Sequence, residues 1–215
     1  MFAMRKIVGG LLPAGILSLS FIAIAFGLIR RLPLASSSSV SRTKLSVVVG
    51  DVIPLGVLVD IVDPDLSGET CRVSEAQDIG EILRTEKKAV IFGVPGAFTP
   101  TCSAQHLPGF VSKAEILRSK GVSSIYCLSV NDRFVMRAWG EQTPGCVASG
   151  IKLIADGNGE FVQSLGLTKD ATGSRMGVRS KRFAAVLEYG TVVALNIDEK
   201  GLNSTSADQI LELLG

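Results

Sequence analysis

An apolar run that breaks at a glycine- and proline-rich turn and restarts as a helix leaves a chain few ways to fold. Residues 89–110, AVIFGVPGAFTPTCSAQHLPGF, have that form. Ala89 to Phe92 have the length and β-branched content of a buried strand. Gly93, Pro95 and Gly96 predict the end of that strand and a turn. Thr99 followed by Pro100 is a helix start, a capping residue before proline at the first helical position. Cys102 then falls in the first helical turn, near the third position.

That placement has chemical consequences. First-turn N–H groups lack intrahelical partners, and the macrodipole is positive there. Both favour a thiolate at Cys102. Thr99 is expected to accept from a first-turn N–H while its O–H donates toward the sulfur or a bound substrate. Pro95 offers no N–H and a rigid apolar wall that would shield the thiolate. The bland alternative is a buried, inert thiol, the usual state of free cysteine.

The order Pro95-x-x-x-Thr99-x-x-Cys102 resembles the active-site motif of the peroxiredoxins. With His106-Leu107-Pro108-Gly109-Phe110 downstream, the block is similar to the peroxiredoxin-5 or plant type II branch. The resemblance runs from about Val48 to the C-terminus. It implies a thioredoxin-like fold and a thiol peroxidase acting on H2O2 or alkyl hydroperoxides through a cysteine sulfenic acid. It also implies a homodimer and an external thiol reductant, glutathione with glutaredoxin or else thioredoxin. No metal, haem, flavin or other cofactor is implied. The resemblance carries a fourth site residue, Arg182, in the run Arg179-Ser180-Lys181-Arg182-Phe183, beside the peroxidatic thiolate. On local sequence alone that basic cluster reads as a solvated strand end. Cys127, in Tyr126-Cys127-Leu128-Ser129, stands where type II relatives place a possible resolving thiol. By pattern it is equally a buried strand residue. The peroxiredoxin-5 resolving cysteine is expected near Gly201 to Ser204, and serine stands there.

The N-terminus is different in kind. Ile7 to Ile29 carry no charge, and residues 1–44 hold six Lys or Arg and no acid. Of the 22 basic residues, sixteen remain in 45–215 against 20 acidic ones, so that part has a net charge near −4 and offers no nucleic-acid surface. Three readings of 1–44 stand: a cleaved signal, with or without a transit segment behind it, an uncleaved membrane anchor, or a mitochondrial presequence. All three make it a targeting leader ahead of one peroxiredoxin-like domain, 45–215. The location is then organellar, in plastid or mitochondrion, or else secretory or membrane-anchored.

Within 45–215 the pattern predicts strands over 57–62, 70–73, 89–92, 125–130 and 151–155, and a hairpin of 183–187 with 191–195 across Tyr189-Gly190. Helices are expected from a cap at Ser74 to Arg84, after Thr99 with a kink at Pro108, after a cap at Asn131, over 160–165, and from Ala207 behind a Ser206 cap. Alternating strands and helices, then a hairpin and a last helix, make a mixed α/β sandwich with a central sheet.

The remaining chemistry-bearing residues are few. His106, the one histidine, lies four residues after Cys102 and in a regular helix shares its face. A Cys–His nucleophile pair or two metal ligands is conceivable, but no further ligand spacing supports a metal. The expectation is a hydrogen-bonded structural histidine. Cys71, Cys102, Cys127 and Cys146 match no zinc or disulfide framework. Cys146, after Pro144-Gly145, is expected on an exposed loop. The competing reading of the whole chain is a non-enzymatic thioredoxin-fold redox sensor or a membrane-tethered binding module.

Overall fold

The computed structural model describes residues 46–65 and 70–215. The leader reading over 1–44 lies outside the described residues. In chain order the elements are β1 (Leu58–Pro64), β2 (Cys71–Asp78), α1 (Ile79–Thr85) and β3 (Ala89–Val94). A π-helical turn over Cys102–His106 then leads into α2 (Leu107–Ser119). There follow β4 (Ser124–Ser129), α3 (Arg133–Gln142), α4 (Cys146–Ser149), β5 (Lys152–Ala155), α5 (Glu160–Ser164), β6 (Thr168–Asp170) and β7 (Val178–Ser180). β8 (Arg182–Glu188), β9 (Thr191–Asp198) and α6 (Ala207–Leu213) close the chain.

Seven strands form one mixed sheet in the order β2-β1-β5-β4-β3-β8-β9, and β6 and β7 make a separate small hairpin. β3, β4 and β5 are parallel, and β8 runs antiparallel to β3. All six residues of β3 are buried, which is why its sequence is continuously apolar rather than alternating. Successive side chains point to opposite faces. Val90, Phe92 and Val94 of β3 join one core with Ile125 and Cys127, while Ala89 and Ile91 join the other with Tyr126 and Leu128. The helix carrying Cys102 packs on the first of these faces, through Leu107, Phe110, Ala114 and Leu117.

Several elements differ from expectation for identifiable reasons. β2 does not yield to a helix at Ser74; it stays paired with β1 as far as Asp78. Asp78 is the true cap of α1, accepting from Gly80 and Glu81 N–H. β3 does not stop at Gly93 but continues to Val94, with Gly93 paired to Leu128 and Phe183. A Cβ built at Gly93 would lie 2.1 Å from Phe183 Cε1, so the glycine admits a ring rather than making a turn. The cap of α3 is Asp132, not Asn131. The β8–β9 hairpin falls where the sequence puts it, and both Tyr189 and Gly190 have the positive φ that a two-residue turn of this kind needs. No helix among the described residues is long and apolar enough to cross a membrane.

Candidate active site

The site is built at the end of β3, where the sheet hands the chain to the helix. Asn131, just past the adjacent end of β4, accepts from the Ala97 N–H at 3.0 Å and from Ser129 Oγ at 2.7 Å. Its side chain is thus spent on the Pro95–Thr99 loop, and this is why it does not cap α3. Gly96 lies against Thr99, Met176 and Arg179, and a Cβ there would come within 3.2 Å of the first two side chains. Arg179 donates to the carbonyls of Met176 and Val130, tying the β6–β7 connection to the segment that follows β4. Pro95 is half-buried in the loop. Thr99 Oγ1 donates to the Gly96 carbonyl at 2.8 Å. The expected donation toward the sulfur is therefore corrected: a carbonyl can only accept, so the Thr99 proton is committed to Gly96 and the oxygen lone pairs remain.

Helical structure begins at Pro100, and Ser103 N–H donates to the Thr99 carbonyl at 3.0 Å. Cys102 is therefore the third helical residue, as the sequence predicts, within the turn of unpaired N–H groups. The kink expected at Pro108 takes the form of a π-helical turn: Leu107 N–H reaches back to the Cys102 carbonyl, five residues away. Pro108 has no N–H, and its ring would strike the carbonyl four residues earlier in a regular helix, so a wider turn relieves it. Trp139 of α3 donates its indole N–H to Ser103 Oγ at 2.9 Å, anchoring the first turn from outside.

Arg182 enters from β8. It is 7 % exposed, and both terminal nitrogens of its guanidinium stand 3.6 Å from Cys102 Sγ. This is no solvated strand end. Nη1 also lies 3.0 Å from His106 Nδ1, while His106 Nε2 lies 2.9 Å from the Thr205 carbonyl. Those two partners decide the tautomer. A carbonyl only accepts and a guanidinium only donates, so Nε2 carries the proton and Nδ1 is bare. The ring lies tilted against Phe92 and Phe110, whose own rings stack on each other 3.9 Å apart. Burial chiefly pulls the imidazole down to about 4; the Thr205 bond opposes this, and the Arg182 charge adds to it. His106 is thus neutral at ordinary pH.

Among the described residues no carboxylate forms an ion pair with Arg182. A buried cation left in that state favours an anion beside it. The nearest group able to become one is the Cys102 thiol, which is fully buried.

The other thiols are placed differently. Cys127 lies in β4, paired with Phe92 on β3 and Leu153 on β5, and burial first, then the neighbouring thiols, pushes it well above its ordinary value. Cys146 is not on an exposed loop. It begins α4 and is 2 % exposed, because the positive φ of Gly145 turns the chain back into the core. Burial pushes it up to about 12, with Cys71 adding to the rise. Cys71 is buried at the start of β2 and raised by burial, then by Glu141. The sequence did not reveal the tie between His106 and Arg182, nor the anchors from Asn131 and Trp139. The pairing of the lone histidine with Cys102 at helical spacing was its one hint.

Comparison with known proteins bears on this geometry. The Redoxin family model matches residues 60–211. Peroxiredoxin-2B of Arabidopsis thaliana is 45 % identical over 169 residues, covering 78 % of this chain and 98 % of that one. Peroxiredoxin-2E-2, chloroplastic, of Oryza sativa subsp. japonica is 44 % identical over 177 residues, covering 81 % of this chain and 75 % of that one. Among solved structures, reduced Prx3 of Vibrio vulnificus in complex with H2O2 superposes with a TM-score of 0.65 at 37 % identity, covering 79 % of this chain and 99 % of that one. The family match over residues 60–211 and the identity to these relatives make this chain a member of the peroxiredoxins, of the plant type II kind, and a thiol peroxidase.

Proposed function

We propose that Cys102 is the peroxidatic residue, that Arg182, Thr99 and Pro95 serve it, and that an external thiol restores it. The observation that carries this is the buried Arg182 guanidinium, 3.6 Å from the sulfur through both terminal nitrogens and with no carboxylate in ion pair among the described residues. The cation holds the thiolate, and its donors remain available to peroxide oxygens. Thr99 Oγ, its proton engaged by Gly96, accepts from the O–H of a hydroperoxide and so orients it. The thiolate attacks that oxygen along the O–O axis. An S–O bond forms, the O–O bond breaks, and hydroxide or alkoxide departs to be protonated as water or alcohol. Arg182 and first-turn N–H groups stabilise the negative charge on the departing oxygen. Cys102 is left as the sulfenic acid, two electrons oxidised. Pro95 closes the loop side of the pocket. Both H2O2 and small alkyl hydroperoxides suit a sulfur that is wholly buried, and the chemistry needs no metal, haem or flavin.

For the second half of the cycle we favour glutathione with glutaredoxin, thioredoxin being the alternative. The first glutathione thiol attacks the sulfenic sulfur and releases water, giving a mixed disulfide at Cys102. A second thiol takes over the glutathionyl group and returns the thiolate. Cys127 is a poor internal substitute: burial keeps it protonated, and hydrogen bonding to strands on both sides fixes it. Ser204 stands where a peroxiredoxin-5 resolving thiol is expected. The chloroplastic type II relatives support a leader over 1–44 that directs the domain to an organelle; N-terminal sequencing of the native protein that finds Met1 retained in a membrane fraction would favour an anchor instead.

The test is rapid-mixing oxidation of the reduced protein by H2O2, followed by intact mass with and without glutathione. Cys102→Ser abolishes consumption. Arg182→Ala slows oxidation by about 10²-fold or more, and Arg182→Lys recovers little of it, since one ammonium cannot replace a fork. Oxidation of Arg182→Ala at the parent rate removes Arg182 from the site. A +305 Da adduct-free product with a Cys102–Cys127 bridge would replace the external thiol with an internal one.

A further inference from the structure

We infer that Asp198 is a positioning residue for peroxide reduction: by anchoring the loop at Asn203–Thr205 it holds His106 in the orientation that keeps Arg182 on the Cys102 sulfur. Asp198 ends β9 and is the direct cross-strand partner of Arg182, so both side chains rise from the same face of the sheet. Both are buried, at 8 % and 7 % exposed. Opposite charges so placed would ordinarily pair. Here they form no ion pair, because the carboxylate is occupied from the other side.

Five donors converge on it. Oδ2 accepts from Asn203 N–H at 2.8 Å, Thr205 N–H at 3.2 Å and Thr205 Oγ1 at 2.7 Å. Oδ1 accepts from Ser204 N–H at 3.1 Å and Ser204 Oγ at 2.8 Å. Burial works to raise the carboxyl, but these donors outweigh it and hold Asp198 well below the usual carboxylate range. Asn196 adds a bond to the Ser204 carbonyl at 2.7 Å. A loop clasped this firmly has a definite task, and its Thr205 carbonyl shows where the task lies. That carbonyl, on a fully buried residue, accepts from His106 Nε2–H and so leaves Nδ1 bare for Arg182.

The order of contact is therefore Asp198, Thr205, His106, Arg182, Cys102. The arrangement also frees the cation: with its oxygens filled by the loop, Asp198 does not draw Arg182 off the sulfur. In this protein the 201–204 segment is thus a fixed platform rather than a mobile arm.

The inference rests on the roles proposed above for Cys102 and Arg182, and the experiment separates the two. His106 is the one histidine in the chain, so its imidazole nitrogens give a single set of ¹⁵N signals. In the reduced parent at neutral pH these report the Nε2–H tautomer. Asp198→Asn keeps the shape but sets an amide against five donors. We expect a mixture of tautomers and a second-order rate constant for oxidation by H2O2 lowered about tenfold. In a His106→Leu background, where neither the Thr205 nor the Arg182 contact can form, the same Asp198→Asn change should alter the rate less than twofold, because the route is already cut. Should Asp198→Asn not fold, Thr205→Val removes the hydroxyl donor alone; a loss of about threefold with the same tautomer shift is expected. An unchanged tautomer and rate in the variant that folds, whatever its melting temperature, overturns the inference, as does a full loss in the His106→Leu background. A parent that shows the Nε2–H tautomer but does not consume peroxide leaves the relay intact and refutes the peroxidatic assignment.

Discussion

The depressed histidine gives a prediction about stability that needs no peroxide. His106 titrates at about 4 in the folded protein and near its ordinary 6.5 when unfolded. Between those values the unfolded chain binds a proton that the folded one refuses. Folding stability must then rise with pH across the window, with a slope of up to about 1.4 kcal/mol per pH unit. The contribution is fully present above pH 6.5 and is lost as pH falls toward 4. A shift of about 2.5 units corresponds to about 3 kcal/mol. The side chain is 1 % exposed, so solvent screening takes little from that figure. Carboxylates of the unfolded chain also titrate near 4, and Asp156, raised by burial, acts with the opposite sign. A difference measurement removes them. His106→Gln keeps a donor for the Thr205 carbonyl but cannot gain a proton. Both proteins, in a Cys102→Ser background to exclude thiol chemistry, are unfolded in urea at pH 7.5 and 4.5 with Trp139 fluorescence as the probe. The parent should lose about 2.5 kcal/mol more than the His106→Gln variant over that interval. Parallel pH profiles would refute the buried neutral imidazole and with it the tautomer argument.

Three further outcomes follow from the packing. Gly93→Ala drives a methyl into the Phe183 ring and Ser180 Oγ, which would lie 2.1 Å and 2.8 Å from it; destabilisation of about 3 kcal/mol by urea unfolding is expected, with slower oxidation because Phe183 adjoins Arg182. Cys146→Ala leaves peroxide turnover within about twofold of the parent while costing about 1 kcal/mol of stability, since the thiol is buried packing and touches no reacting atom; a large activity loss at constant stability would give Cys146 a redox task. Ser103→Ala removes the acceptor of the Trp139 indole and should shift that single tryptophan's emission and weaken its response to Cys102 oxidation, read by stopped-flow fluorescence; an unaltered response would separate Trp139 from the first turn.

What the sequence disclosed and what it hid divide along a physical line. The helix start at Pro100, the placement of Cys102 in its first turn, the hairpin across Tyr189-Gly190 and the Ser206 cap are local matters, decided by proline, glycine and hydroxyl residues at short range. Each was legible. The β2 strand outlasted its expected end because pairing with β1 overrides the helix propensity of Ser74 to Gln77, and pairing is not local. Gly93 looked like a terminator because the ring of Phe183, ninety residues on, is invisible in the run itself. Asn131 and Asp132 are both good caps; the choice fell to Asp132 because a distant loop claims Asn131. Cys146 looked exposed because its neighbours are turn formers, although the turn points it inward. Arg182 was read from family resemblance alone, since nothing in Arg179-Ser180-Lys181-Arg182 says which of three cations is buried.

The four thiols share one apolar core, yet their surroundings assign them different chemistry. Cys71, Cys127 and Cys146 meet burial without a dedicated cation, so each is held in the protonated form. Only Cys102 has a guanidinium on its sulfur and a helix start beneath it. Burial has a second consequence. Peroxide is small enough to reach a covered sulfur, whereas a glutathione or protein thiol is not, so the proposed external-thiol route would require the first turn to open. The π-helical turn and Pro108 mark where backbone bonding is already irregular, and the Trp139–Ser103 and His106–Thr205 bonds are what an opening must break. Oxidation is served by keeping those bonds and reduction by releasing them. Loosening the turn should therefore slow the first step while quickening the second, and the two half-reactions measured separately would move in opposite directions.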